Sequence, residues 1–214
     1  MKTPFSYKVY LAAGDGLRAH GSQKRKGDST IPYMAHPIAI AIALSRVIED
    51  EEILIAALLH DTLEDTDFPP EEILQKYGAR VLSLVQALSE DKDHTMSAKD
   101  EKATWFSRKA KMVHKIAASS WEIQLIKFAD QLQNLQCLAA DLQKTAYAQV
   151  ASHFNAPLGA RVGLYRYCLE YWDKTRMIQQ KCPKWLEQFK TTLREVEATV
   201  IQHGDQIIPF NPEA

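Results

Sequence analysis

EEILIAALLHDTLED, residues 51–65, is the stretch that decides the fold. Every residue from Ile53 to Leu59 is apolar. A helix that is apolar all round belongs inside a protein, not on its surface. Glu51 and Glu52 at its start suit the positive end of a helix dipole. The run then meets His60 and Asp61. Burying an imidazole beside a carboxylate is costly unless both find partners. A lone His-Asp pair near a helix end can satisfy itself, but the residues that follow shift the balance. Glu64 lies one helical turn after His60, and Asp65 one turn after Asp61, so the spacing predicts each on the same face as its predecessor. Three carboxylates and an imidazole crowded together repel one another, and a cation is the simplest neutraliser.

Outward from this segment, helical spacing recurs along the chain, and no stretch alternates apolar and polar residues between turn signals. Residues 4–19 read as a first helix and 21–35 as a polar loop. Pro37 suits the first turn of a second helix, with His36 just before it. Pro69 and Pro70 start another helix that Gly78 ends. Residues 79–89 continue helical, and a charged loop follows at 90–102. Further helices are predicted at about 101–118 and 121–140, then two or three long ones to about 203. An all-α bundle is the natural architecture. Hydrophobic residues at 46% and charged residues at 25% fit an ordinary globular domain. The net charge of -1 provides no general field for nucleic acid or an anionic membrane, so an anionic ligand must be attracted locally. The first residues do not read as a secretory leader, and no apolar run approaches the ~20 residues that span a bilayer. Cys137, Cys168 and Cys182 are scattered, which favours a reducing, cytoplasmic setting over a disulfide framework or a thiolate zinc site.

Two further segments carry candidate ligands. In IKFADQLQN (126–134), Asp130 follows an apolar stretch and Asn134 lies one turn later. In PYMAHP (32–37), His36 sits at a helix start. Alone, the first is a polar edge and the second a cap. Together with His60 and Asp61 they give two imidazoles and two carboxylates, a set that suits manganese, iron, zinc or cobalt better than calcium. Water on such an ion ionises near neutral pH, and Glu64 and Asp65 have the chemistry to move its proton. Basic residues provide the complement for an anion. The stretch from Arg18 to Lys26 holds Arg18, Lys24, Arg25 and Lys26 without an acid and ends in the loop before His36, and a second basic stretch runs from Lys92 to Lys115.

The segments HGSQKRKGDSTIPYMAHP (20–37), AALLHDTLEDTDF (56–68), YGARVLSLVQALSEDK (77–92) and LIKFADQLQNL (125–135) resemble, in this order, the hydrolase domain of the RelA/SpoT alarmone enzymes, in the size class of the small stand-alone hydrolases. The resemblance implies an HD-domain helical bundle over residues 1–175, with 176–214 as a C-terminal helical extension packed on it. It implies His36, His60, Asp61 and Asp130 as metal ligands, manganese as the usual ion, and Glu64 and Asp65 as the catalytic acidic pair. Arg25, Lys26 and Asn134, with Lys92 and Tyr165, fall where the family contacts its nucleotide. The implied reaction removes the 3′-pyrophosphate of guanosine tetra- or pentaphosphate, with a small-molecule nucleotide, rather than nucleic acid or a membrane, as the partner. Gln131 and Gln133 stand where the family commonly has a lysine and a histidine, which puts substrate preference in question. Two alternatives stand beside this reading: hydrolysis of another nucleotide, such as the 2′-phosphate of NADPH, and a nucleotide-sensing module without turnover.

Overall fold

The computed structural model describes residues 6–25, 30–90 and 97–213. Among them every regular element is a helix, and the one extended pairing is an isolated antiparallel bridge between Lys24 and Pro32. Among the described residues no helix is long and apolar enough to cross a membrane. The chain forms two compact units. One comprises residues 1–92 and 118–130, the other 93–117 and 131–214. Residues 131–214 thus fall in one unit.

The first unit contains α1 (Tyr7–His20), α2 (Ala35–Leu44), α3 (Glu51–Leu59), α4 (Thr62–Asp65), α5 (Pro70–Tyr77), α6 (Ala79–Leu88) and the first part of α9 (Trp121–Lys144). Helix α3 is its centre. All seven residues from Ile53 to Leu59 are buried, and α1, α2 and α6 pack around them. Each large aliphatic side chain so buried contributes about 1.5–3 kcal/mol. The start of α3 is fixed by Asp50, whose carboxylate accepts from the backbone N–H groups of Glu52 at 3.0 Å and Ile53 at 3.4 Å. Arg80 of α6 clamps the same carboxylate through two bonds, at 3.1 and 2.8 Å, and holds it below the usual carboxylate range. Buried Asp15 of α1 accepts from Tyr77 Oη at 2.8 Å and Lys76 Nζ at 3.0 Å, which ties α1 to α5. Pro69 caps α5 and Gly78, at φ 94°, ends it, as the sequence predicts.

Three expectations change. His36 lies inside the first turn of α2, not ahead of it. The helix expected over 51–65 stops at Leu59 and resumes at Thr62, with His60 and Asp61 between. The helix expected over 101–118 is broken at Thr104 into α7 (Ala98–Ala103) and α8 (Trp105–Ala117), where the Thr104 hydroxyl turns back onto the Asp100 carbonyl at 2.8 Å.

The second unit contains α7, α8, the remainder of α9, α10 (Tyr147–Ser152), α11 (Leu158–Lys174), α12 (Arg176–Lys181) and α13 (Pro183–Gln202). After α13 the chain returns across α11. Ile208 N–H donates to the Gly159 carbonyl at 3.2 Å, and Phe210 is buried against Trp105, Ala156 and Ala160. This crossing needs Gly159 and Gly163. A Cβ on Gly159 would overlap the carbonyl oxygen of Gln206, and one on Gly163 that of Ile208. Gly14 of α1 has open space at the same position.

The two kinds of glycine should therefore respond to alanine with opposite signs. Gly163→Ala should lower stability by about 1–3 kcal/mol, a fall in Tm of roughly 3–10 °C. Gly14→Ala should raise stability by about 0.5–1 kcal/mol through helix propensity. Thermal melts of both variants check this. An unshifted Tm for Gly163→Ala would show that the tail does not lie against α11.

Candidate metal centre

The break after α3 shapes the site. The Thr62 hydroxyl donates to the Leu59 carbonyl at 2.7 Å, and the Asp65 N–H closes the short α4 onto the Asp61 carbonyl at 2.9 Å. His60 Nδ1 lies 2.8 Å from the Ala57 carbonyl. A carbonyl can only accept, so Nδ1 carries the hydrogen and Nε2 is the atom presented to the site. That Nε2 is buried and makes no well-aligned hydrogen bond among the described residues, although it lies within ion-pair distance of Asp61.

Ligand-type atoms of His36, His60 and Asp130 all lie within 4.8 Å of one another, and all three residues are buried. Helices α2 and α9 bring His36 and Asp130, and the break after α3 brings His60. His36 Nε2 is 3.2 Å from Asp130 Oδ1 and 3.8 Å from Asp61 Oδ2. Asp61 Oδ2 is also 3.0 Å from His60 Nε2, so it stands beside the group of three. The imidazoles meet edge to face at 5.3 Å between centroids. An orphaned, buried imidazole nitrogen among carboxylate oxygens is a donor set that fits a divalent transition ion.

Charge is distributed accordingly. Burial works against the His60 cation, but Asp61 and Asp130 outweigh it and hold its pKa up to about 9. Burial also works against the Asp61 carboxylate, yet His60 and His36 keep it well below its ordinary range. Asp130 is held low in the same way, by Lys127 first and then His36. Lys127 Nζ lies 2.8 Å from Asp130 Oδ2, and the surrounding carboxylates keep it charged despite its burial. Asp130 thus turns one oxygen to Lys127 and the other to His36.

The acidic pair does not stack along one helix with His60 and Asp61, because the helix is broken between them. Glu64 Oε2 accepts from the Glu90 backbone N–H at 3.0 Å. Asp65 is held through its backbone carbonyl by Gln23 Nε2 at 2.8 Å, and its Oδ2 lies 3.4 Å from Tyr33 Oη. Arg25 is placed in the first unit with its guanidinium 5.6 Å over the Tyr33 ring. Lys26 and Lys92 lie outside the described residues. Asn134 and Tyr165 belong to the second unit, where the Tyr165 ring is buried against Phe189. Gln131 is engaged inside that same unit: its Oε1 accepts from Trp172 Nε1 at 2.7 Å and its Nε2 donates to Cys168 Sγ at 3.3 Å. Gln133 bonds Cys137 Sγ one turn along α9, at 3.0 Å.

Two residues of the site escaped the sequence reading. Lys127 was hidden in an amphipathic helix, where a lysine normally signals only a solvated face. Tyr33 lay within the quoted PYMAHP segment, but nothing local reveals that its hydroxyl reaches Asp61 Oδ2 at 2.5 Å.

The state of His60 sets a pH dependence. A proton held up to about 9 competes with any cation for Nε2, and the competition fades as pH rises. Apparent affinity for Mn²⁺ should therefore climb from pH 7 to pH 9, by about tenfold per unit for one displaced proton. Calorimetry at pH 7 in buffers of different ionisation enthalpy should record release of about one proton per ion. A flat affinity across this range would show that no imidazole proton competes.

Residues 16–165 match the HD domain family. The chain is 33% identical over 205 residues to the guanosine-3′,5′-bis(diphosphate) 3′-pyrophosphohydrolase of Aquifex aeolicus; the match takes in 86% of this chain but only 28% of that protein. It is 39% identical over 129 residues to the human guanosine-3′,5′-bis(diphosphate) 3′-pyrophosphohydrolase MESH1, covering 59% of this chain and 67% of the human protein. Among solved structures, a metazoan ortholog of SpoT described as hydrolysing ppGpp and acting in starvation responses superposes with a TM-score of 0.54 at 25% identity, over 95% of this chain and 98% of that one. The chain belongs to the HD domain family, in the branch that holds these SpoT-type proteins.

Proposed function

We propose that this chain is a divalent-metal-dependent (p)ppGpp 3′-pyrophosphohydrolase, with manganese held by His36, His60, Asp61 and Asp130. The observation that carries the reading is the buried convergence of His36, His60 and Asp130, with Asp61 beside them, in a chain whose relatives are named for this reaction. Two imidazoles and two carboxylates favour such an ion over calcium, which takes oxygen ligands. When bound, a divalent cation there supplies Lewis acidity and makes water ionise near neutral pH.

In the reaction, a water oxygen bonds to the phosphorus attached to the 3′-oxygen. The bond from that phosphorus to the 3′-oxygen breaks, and pyrophosphate leaves. The 3′-oxygen gains a proton and the water loses one. Glu64 and Asp65 are the groups we assign to these transfers. Glu64 is anchored by the Glu90 N–H, and Asp65 by Gln23. Lys127 places a fixed positive charge beside Asp130, which favours a phosphate-rich ligand. Arg25, with Lys26, Lys92, Asn134 and Tyr165, is assigned to binding the nucleotide. Residues 1–175 would form the hydrolase domain and 176–214 its helical extension. That Cys137, Cys168 and Cys182 are reduced thiols supports a reducing, cytoplasmic setting.

Guanosine tetraphosphate should be hydrolysed to GDP and pyrophosphate by metal-stripped protein only after a divalent ion is restored, with Mn²⁺ more effective than Ca²⁺ and NADPH a poorer substrate. Asp61→Asn should lose metal and activity together. Glu64→Gln should keep its metal by elemental analysis while kcat falls by about 10²–10⁴. Full turnover in chelator after exhaustive dialysis contradicts the reading, and a Glu64→Gln protein with normal kcat removes the role given to the acidic pair.

A further inference from the structure

Tyr33 occupies a position that the reaction scheme above does not use. Its hydroxyl lies 2.5 Å from Asp61 Oδ2 and 3.4 Å from Asp65 Oδ2. Carboxylates accept, so the phenol donates, and with one hydrogen it serves one of the two oxygens at a time. Asp61 Oδ2 is the same oxygen that stands 3.0 Å from His60 Nε2 and 3.8 Å from His36 Nε2. A carboxylate oxygen has two in-plane lone-pair directions. With Tyr33 on one, the other is left for the imidazole side, and rotation of the Asp61 carboxylate is blocked.

The ring itself is held from several sides. His20 stacks on it at 4.5 Å and 27°, and the edge of His36 approaches at 6.2 Å. Tyr33 N–H donates to the Gln23 carbonyl at 2.9 Å, and the His36 N–H donates to the Tyr33 carbonyl at 3.0 Å. The Gln23 side chain closes a circuit. Its Nε2 donates to the Asp65 carbonyl at 2.8 Å, which turns its Oε1 toward His20 Nδ1 at 2.9 Å. Thus His20, Gln23, Asp65 and Tyr33 form one ring of contacts, and the hydroxyl links it to the Asp61 carboxylate.

We propose that Tyr33 is a positioning residue that fixes the orientation of the metal ligand Asp61 and couples it to Asp65 through a shared hydroxyl. This rests on the metal reading given above. Partners that orient a metal ligand are typically worth 10–100-fold in metal affinity or activity.

The test is Tyr33→Phe in the full chain, which keeps the ring, its stacking on His20 and its place under Arg25. Mn²⁺ alone is titrated by calorimetry, and kcat and KM are then measured at saturating Mn²⁺. The expected result is an apparent dissociation constant raised about 10–100-fold, with kcat at saturating Mn²⁺ reduced about tenfold and KM within about twofold. A purely structural role would instead lower Tm and leave the Mn²⁺ affinity alone, which overturns the proposal. The parent's own titration separates the two readings. A parent that binds no Mn²⁺ overturns the metal site and this proposal with it. A parent that binds Mn²⁺ beside a Tyr33→Phe variant with equal affinity and kcat overturns this proposal only. Should Tyr33→Phe not fold, 3-fluorotyrosine at position 33 retains ring and hydroxyl. Its fluorine resonance should broaden with the same midpoint as Mn²⁺ binding, and an unbroadened resonance at saturation overturns the proposal.

Discussion

Burying His60, with the partly buried Asp61 beside it, at the end of an apolar helix is the constraint on which the first unit depends. Helix α3 is surrounded on every side, so the chain leaving it emerges in the interior. A continuous helix there would leave the imidazole and the carboxylate to face apolar neighbours. Instead the main-chain bonding pauses for two residues, with the Leu59 carbonyl taken by the Thr62 hydroxyl and the imidazole Nδ1 by Ala57. Both polar side chains are then presented at one point, and α2 and α9 bring His36 and Asp130 to meet them.

Charge balance explains why the neighbours are what they are. Two carboxylates, Asp130 buried and Asp61 partly so, each with low affinity for protons, need positive charge close by. Lys127 provides it to one oxygen of Asp130, and the imidazoles face the other oxygen and Asp61. A divalent cation would take over the imidazoles' share and leave that of Lys127 in place. The loop before α2 contributes a neutral donor, Tyr33, where a further cation would compete for the ligands.

The second unit is organised on different terms. Gln131 and Gln133 of α9 are both held by side chains of this unit. Gln131 is fully engaged by the Trp172 indole and the Cys168 thiol, so packing inside its own unit accounts for that amide. The amide of Gln133 meets a thiol on its own helix. The return of the chain across α11 rests on the absence of two side chains, at Gly159 and Gly163, and on aromatic contacts of Phe210 with Trp105, Phe106 and Tyr167.

The sequence by itself determined the helical class, the burial of 53–59 and the proline start and glycine end of α5, and it singled out His36, His60, Asp61 and Asp130 as candidates. Each is written in local order: period, cap, breaker, or a polar residue at the edge of an apolar run. It also led to an error at 51–65, because periodicity registers helical preference on either side of a break but not the interruption of backbone bonding between. Only the tertiary structure decided which side chains meet across the chain. Tyr33 reaches Asp61 over 28 positions, and Gln131 reaches Trp172 over 41. Such contacts follow from how buried helices pack, and local backbone preferences carry no record of a partner that arrives from another helix.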